Sequence, residues 1–172
     1  MLGVDLNKVK LVKYDPSWNK EFLAEKYSLS KIYLGVPYVI AHVGATSVYR
    51  AKSEPVIDIL IGINSYLDLI TVRDKLMLNG YYYVAKLSSL HRFVLMKMND
   101  DGLHTHTIYL VVYKSKQWND MLTFKNYLSS SLDNIYAYNN FKTEIAKKYA
   151  AKPSLYRKEK YIYINHILKK IA

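Results

Sequence analysis

A lone carboxylate sits in one of the most apolar runs of this chain. In "PVIDILIGI", residues 55–63, five of nine positions are isoleucine or valine, and Asp58 lies among them. Read as a strand, the run alternates Ile57, Ile59, Ile61 and Ile63 onto one face and Val56, Asp58, Leu60 and Gly62 onto the other. A carboxylate there is costly to bury without a metal, a cation or hydrogen-bond donors. Two readings stand. Asp58 is a structural acid capping backbone or pairing with a basic residue, or it is a ligand for a divalent metal. In the second case the loop Gly44-Ala45-Thr46-Ser47 upstream would offer backbone N–H groups and hydroxyls to a phosphate.

His104 and His106 are the other residues able to ligate. Strict alternation sets both on one face with Ile108 and Leu110, and Thr105, Thr107 and Tyr109 on the other. Two histidines at i and i+2 can share a metal, or they are ordinary sheet residues. A four-residue "NDDG" loop places Leu95 near His106 and Lys97 near His104, with Arg92 pointing to the opposite face.

The elements that must hold these residues are legible in outline. Asp15 and Pro16 start a helix whose stripe is Trp18, Phe22, Leu29 and Tyr33. "YVIAHV" (38–43) and residues 55–63 read as strands, joined by the small, polar "GATSVYRAKSE". Residues 65–80 form a helix ending near Gly80. Residues 90–98 and 103–113 flank the "NDDG" turn as a hairpin. Helices follow over 118–128, 135–149 and about 155–171, the last started by Pro153. The expected plan is α/β or α+β: a small mixed sheet flanked by helices, with a helical C-terminal tail, in a single domain over 1–172.

Composition narrows the chemistry. No cysteine is present, which excludes disulfides, thiolate catalysis and cysteine-ligated metal centres. No apolar run approaches membrane-spanning length, and no leader pattern opens the chain, so a cytoplasmic protein with no membrane partner is expected. The net charge is +11, and nine Lys/Arg against two Glu fall in residues 141–172. Such a tail attracts polyanions, or is simply the solvated face of amphipathic helices. Tyr149, Tyr156, Tyr161 and Tyr163 interleave with the lysines and either stack on bases or pack the helices.

Taken together, the motifs resemble the GrpB-like family, a branch of the polymerase-β-type nucleotidyltransferase superfamily. "YDPSW" at 14–18 looks like the family's opening motif, and "HVGATSV" at 42–48 like its His-x-Gly-Ser-Thr-x-Val. "EPVIDILIGI" resembles its Lys-Pro-x-x-Asp-Ile strand, "HRF" at 91–93 its His-Arg-Phe, and "HTHTIYLVV" its histidine-rich strand. "FKNYL" at 124–128 and the ending "NFKTEIAKKYAAKPSLYRKEKYIYI" complete the order.

The resemblance implies a nucleotidyltransferase fold in which Gly44, Ala45, Thr46 and Ser47 hold nucleotide phosphates. It implies Asp58 as the catalytic carboxylate holding Mg²⁺, which would activate the attacking hydroxyl and neutralise the leaving pyrophosphate. The departures are specific. Ala45 replaces the serine after glycine, Leu60 stands where the superfamily has its second carboxylate, and Glu54 replaces the lysine before proline. Tyr109 and Thr107 replace histidines, and Lys125-Asn126 replaces Arg-Asp. A two-metal transfer bridges ions about 3.5–4 Å apart with carboxylates, so a second ion here would need histidine, backbone or substrate ligands, and His104 and His106 help only if their face meets that of Asp58.

Two functions follow as expectations. One is Mg²⁺-dependent transfer of a nucleotidyl group from a nucleoside triphosphate to an acceptor hydroxyl, with Arg92, His104 and Lys52 neutralising phosphate charge. The other is a catalytically degenerate module that binds a nucleotide, or binds RNA or another polyanion through its basic tail.

Overall fold

The computed structural model describes residues 2–32 and 34–171. Tyr33, expected on the first helical stripe, lies outside the described residues. Helix α1 is Ser17–Ser30 and buries Trp18, Phe22, Glu25 and Leu29. Asp15 caps it, its carboxylate accepting from the Ser17 N–H at 2.9 Å. Five strands follow in chain order: β1 Tyr38–Val43, β2 Ile57–Ile63, β3 Tyr82–Tyr83, β4 Arg92–Met98 and β5 His104–Val112. Helix α2, Tyr66–Leu78, lies between β2 and β3, its first turn capped by the Ser65 hydroxyl. Helices α3 Lys116–Ser130, α4 Leu132–Lys148 and α5 Pro153–Ile171 form the tail. Ser115 and Ser131 cap α3 and α4 through their hydroxyls, so α3 stops where the cap of α4 begins.

The sheet order is β1-β2-β5-β4-β3. Only the central β2–β5 pair is parallel; β1–β2, β4–β5 and β3–β4 are antiparallel. The expected alternation of β2 holds. Ile57, Ile59, Ile61 and Ile63 are fully buried against Trp18 and Phe22 of α1 and Leu69, Val72 and Leu76 of α2. Leu60 faces the other way, into a cluster with Val43, Val111 and Trp118 of α3. Residue 62 shares that face and is glycine because a β-carbon there would lie 2.7 Å from the Trp118 ring. A third cluster joins the loop residues Val48 and Ala51 to Phe124, Leu128, Ile135, Tyr138 and Ile167 of the tail helices. The tail is therefore packed onto the loop that leads from β1 to β2.

The hairpin differs from the expected register. Leu95 lies opposite Ile108 and Lys97 opposite His106, with a shift between Lys97 and Met98 that leaves Met98 opposite His104. The turn closes one residue tighter, the Asn99 N–H donating to the Leu103 carbonyl at 3.0 Å, and an extra residue in β5 shifts the pairing once more. Thr105 is skipped in the pairing, and its hydroxyl instead donates to the Lys97 carbonyl at 3.1 Å. Strict alternation fails at this bulge.

Candidate functional site

Strand β1 ends at Val43, paired with Asp58, and the chain turns at Gly44 with φ 70° and ψ −177°. That conformation favours glycine, and space demands it too. A β-carbon at Gly44 would lie 2.9 Å from the carboxyl carbon of Asp58 and nearer still to one of its oxygens. The 3-10 turn Ala45–Ser47 follows. The Ser47 hydroxyl donates to the Gly44 carbonyl at 2.7 Å, and the Thr46 hydroxyl is paired with His42 Nε2 at 3.0 Å. The turn expected to hold phosphate is thus in direct contact with Asp58, while its two hydroxyls brace the turn itself.

Asp58 sits opposite Thr107 of β5. Burial pushes its carboxyl up to about 6, reinforced by the neighbouring Glu54; Lys160 and hydrogen bonds from the Thr107 and Tyr109 hydroxyls act in the opposite sense. Lys160, on α5, is the charge that acts most strongly on Asp58. Its ammonium is 2.7 Å from Glu54 Oε2, in a pair whose side chains are only 26% and 11% exposed. Burial works against both charges of that pair, yet each holds the other ionised. The Glu54 carboxyl is kept below its ordinary range and the Lys160 ammonium above its own.

Sequence reasoning did not single out Lys160. Its partner lies 106 residues earlier, and a lysine in a lysine-rich helix carries no local mark of a buried ion pair. Tyr109 and Thr107, read as neutral replacements for histidines, supply hydroxyls to Asp58.

The two histidines do not share a face. His104 Nε2 is 3.1 Å from the Thr107 hydroxyl and 3.1 Å from the His106 carbonyl, and the charges of Arg157 and Glu54 act on it. It belongs to the Asp58 side. The His106 ring lies across the sheet, where Glu25 and Lys97 act on it; its Nδ1 is 3.0 Å from the Thr105 hydroxyl and its Nε2 has no hydrogen-bond partner. The bulge at Thr105 separates them. Burial lowers both rings to about 4, as it does His42.

Arg92 begins β4 opposite Val111, two strands from β2, and donates to the Leu87 carbonyl at 3.2 Å. Its charge acts on the Tyr109 hydroxyl. Lys52 points toward α4, its ammonium donating to the Thr143 hydroxyl at 3.2 Å. Asn139 of α4 fastens the same loop, accepting from the Lys52 N–H and donating to the Arg50 carbonyl. Lys142, almost wholly buried, donates to the Lys52 carbonyl. Lys125 of α3 approaches the turn from the other side and donates to the His42 carbonyl at 2.8 Å.

The sequence profile described as GrpB protein matches residues 8–170. The chain belongs to the GrpB family. It is 29% identical over 171 residues to the Glutamate-rich protein GrpB of Alkalihalophilus pseudofirmus, covering 98% of each chain. The crystal structure of GrpB from Enterococcus faecalis superposes with a TM-score of 0.79 at 24% identity, over 94% of this chain and 99% of that one. The MgGTP-bound Cid1 poly(U) polymerase superposes with a TM-score of 0.55 at 11% identity, over 78% of this chain and 44% of the polymerase. The GrpB fold seen here is thus nucleotidyltransferase-like.

A magnesium centre is what that fold leads one to expect, and the donor set here does not suit one. Asp58 is the strand's single carboxylate and Leu60 is the next residue on its face. Glu54 is committed to Lys160, and His106 points away. Among the described residues, no group of three or more His, Asp or Glu is placed to hold a metal ion.

The basic tail is also partly spent inside the protein. Lys142, Arg157 and Lys160 bond Lys52, Leu6 and Glu54 respectively. Tyr156 is fully buried, and Tyr163 stacks on Phe141 at 4.3 Å, so the packing reading holds for both; Tyr161 is exposed. No described helix is long and apolar enough to cross a membrane.

Proposed function

We propose that this GrpB chain is a nucleotide-binding protein that keeps the nucleotidyltransferase scaffold without nucleotidyl transfer. The observation that carries the reading is the contact of the Gly44 turn with Asp58, where Leu60 takes the place of a second carboxylate. Backbone N–H groups of a tight glycine turn suit the phosphate chain of a nucleoside triphosphate. Lys125 and Lys52, anchored on either side of the loop, add positive charge without needing a metal. A single carboxylate leaves a two-ion site short of anionic ligands, so the arrangement favours holding over transfer.

The polyanion reading rests on Lys147, Lys148, Lys152, Lys158, Lys169 and Lys170, which remain exposed. Tyr156 and Tyr163 between them are packed inside the protein, so nucleotide binding is the better-supported function.

Equilibrium binding of ATP, CTP, GTP and UTP, run beside a pyrophosphate-release assay, tests the proposal. Binding of at least one triphosphate with no release is expected. Release that depends on Asp58 would overturn it in favour of transfer; no binding to any triphosphate would overturn both.

A further inference from the structure

We infer that Tyr49, with the cleft between it and the α3–α4 junction, is where this protein seats the base of a nucleotide. The inference rests on the nucleotide-binding reading and extends it from the phosphate chain to the base.

Three observations converge. First, an aromatic ring is held in place at the surface. Tyr49 is 65% exposed, so burial does not account for its position. Other side chains fix it instead. The Tyr14 ring meets it edge-on at 5.4 Å, and Tyr14 in turn meets Trp18 of α1 edge-on at 5.5 Å. The Arg50 guanidinium lies 5.2 Å from the centre of the Tyr49 ring, within cation–π range. A positioned, exposed ring beside a cation is the element on which a base stacks.

Second, the backbone that presents the ring is clamped. Arg50 takes φ 66°, a left-handed conformation that residues other than glycine seldom adopt. Asn139 of α4 donates to the Arg50 carbonyl at 3.0 Å and accepts from the Lys52 N–H at 2.7 Å. The Ala51 N–H donates to the Val48 carbonyl at 3.1 Å. The tail thus holds this turn against its own strain, as ligand clamps are held.

Third, the ring adjoins both a cleft and the phosphate turn. The cleft has a volume of about 430 Å³, within the range of small-molecule sites, and its lining includes Val48, Tyr49, Ser129, Ser131, Leu132 and Ile135. The apolar side chains suit the faces of a base. The serine hydroxyls, able to donate and to accept, suit its polar edge or a ribose hydroxyl. Val48 donates its N–H to the Ala45 carbonyl at 3.2 Å, so the Gly44 turn leads directly into the cleft wall. Tyr49 stands two residues beyond Ser47, and the same short loop carries the phosphate turn and the ring.

Calorimetric titration of the full chain with ATP and, separately, with inorganic tripolyphosphate tells the base from the phosphates. Stacking tolerates every base, so ATP serves as the probe. Tyr49→Ala is expected to weaken ATP binding by about fivefold or more and to leave tripolyphosphate binding unchanged. Tyr49→Phe, which keeps the ring, is expected to bind ATP as wild type does. Tyr49→Leu, which keeps bulk against Tyr14, replaces the alanine variant should that fail to fold. Unchanged ATP affinity in the folded variant would overturn the inference and leave the nucleotide-binding reading standing. An equal loss for ATP and tripolyphosphate would make Tyr49 a prop of the turn and overturn it as well. No ATP binding to wild type would overturn both.

Discussion

Gly44 and Asp58 touch: a β-carbon on Gly44 would lie 2.9 Å from the Asp58 carboxyl carbon and 3.0 Å from its β-carbon. The two residues are brought together because β1 ends in register with Asp58, and the chain reverses at φ 70°. Gly44→Ala is expected to cost roughly 2–4 kcal/mol, from the left-handed backbone and the clash together. Combining it with Asp58→Gly should recover part of that loss, and urea melts on the two single variants and the pair measure the coupling.

The Glu54–Lys160 pair yields a second prediction. Glu54→Gln leaves a largely buried ammonium unpaired and is expected to destabilise by roughly 2–4 kcal/mol. Glu54→Gln with Lys160→Met removes both charges and should restore most of that loss, as judged by thermal melting. A double variant as weak as the single would mean the pair does not act as a unit.

Stability should fall on mild acidification. The rings of His42, His104 and His106 drop from 6.5 to about 4 when buried. Between those values the unfolded chain takes up protons that the folded chain refuses. Stability is therefore whole above pH 6.5 and is lost as pH falls toward 4, by about 1–2 kcal/mol per ring at pH 5. Histidine resonances followed by NMR across pH 7.5 to 4.5 should show these three rings neutral well below pH 6.

Asp58 acts with the opposite sign. Its carboxyl rises from 3.8 to about 6, so the folded chain binds its proton more tightly than the unfolded one. Its contribution is favourable below pH 3.8 and is lost as pH rises through 6. Asp58→Asn should then raise stability at pH 7.5, by about 1–2 kcal/mol once its partial exposure is allowed for. The gain should shrink at pH 5. A neutral or negative change at pH 7.5 would show that Thr107, Tyr109 and Lys160 outweigh its burial.

Much of this fold was written in alternation and caps. The β2 pattern placed four isoleucines inward and Asp58 on the other face, and Asp15 marks the start of α1. The two-residue β3 carried no periodic signal at all. The histidine pair misled for a physical reason: a single extra residue at Thr105 breaks the period of two, and a bulge leaves no trace in residue types. The Gly44–Asp58 contact was foreshadowed by a glycine turn preceding an acid-bearing strand. The Glu54–Lys160 pair was not, because its partners lie 106 residues apart in the chain.

The most direct test is a calorimetric titration of wild type with each of the four nucleoside triphosphates, in EDTA and again in Mg²⁺. The account predicts that a triphosphate binds with similar affinity in both. Binding that appears only with Mg²⁺, and vanishes in Asp58→Asn, would contradict it and restore Asp58 as a metal ligand.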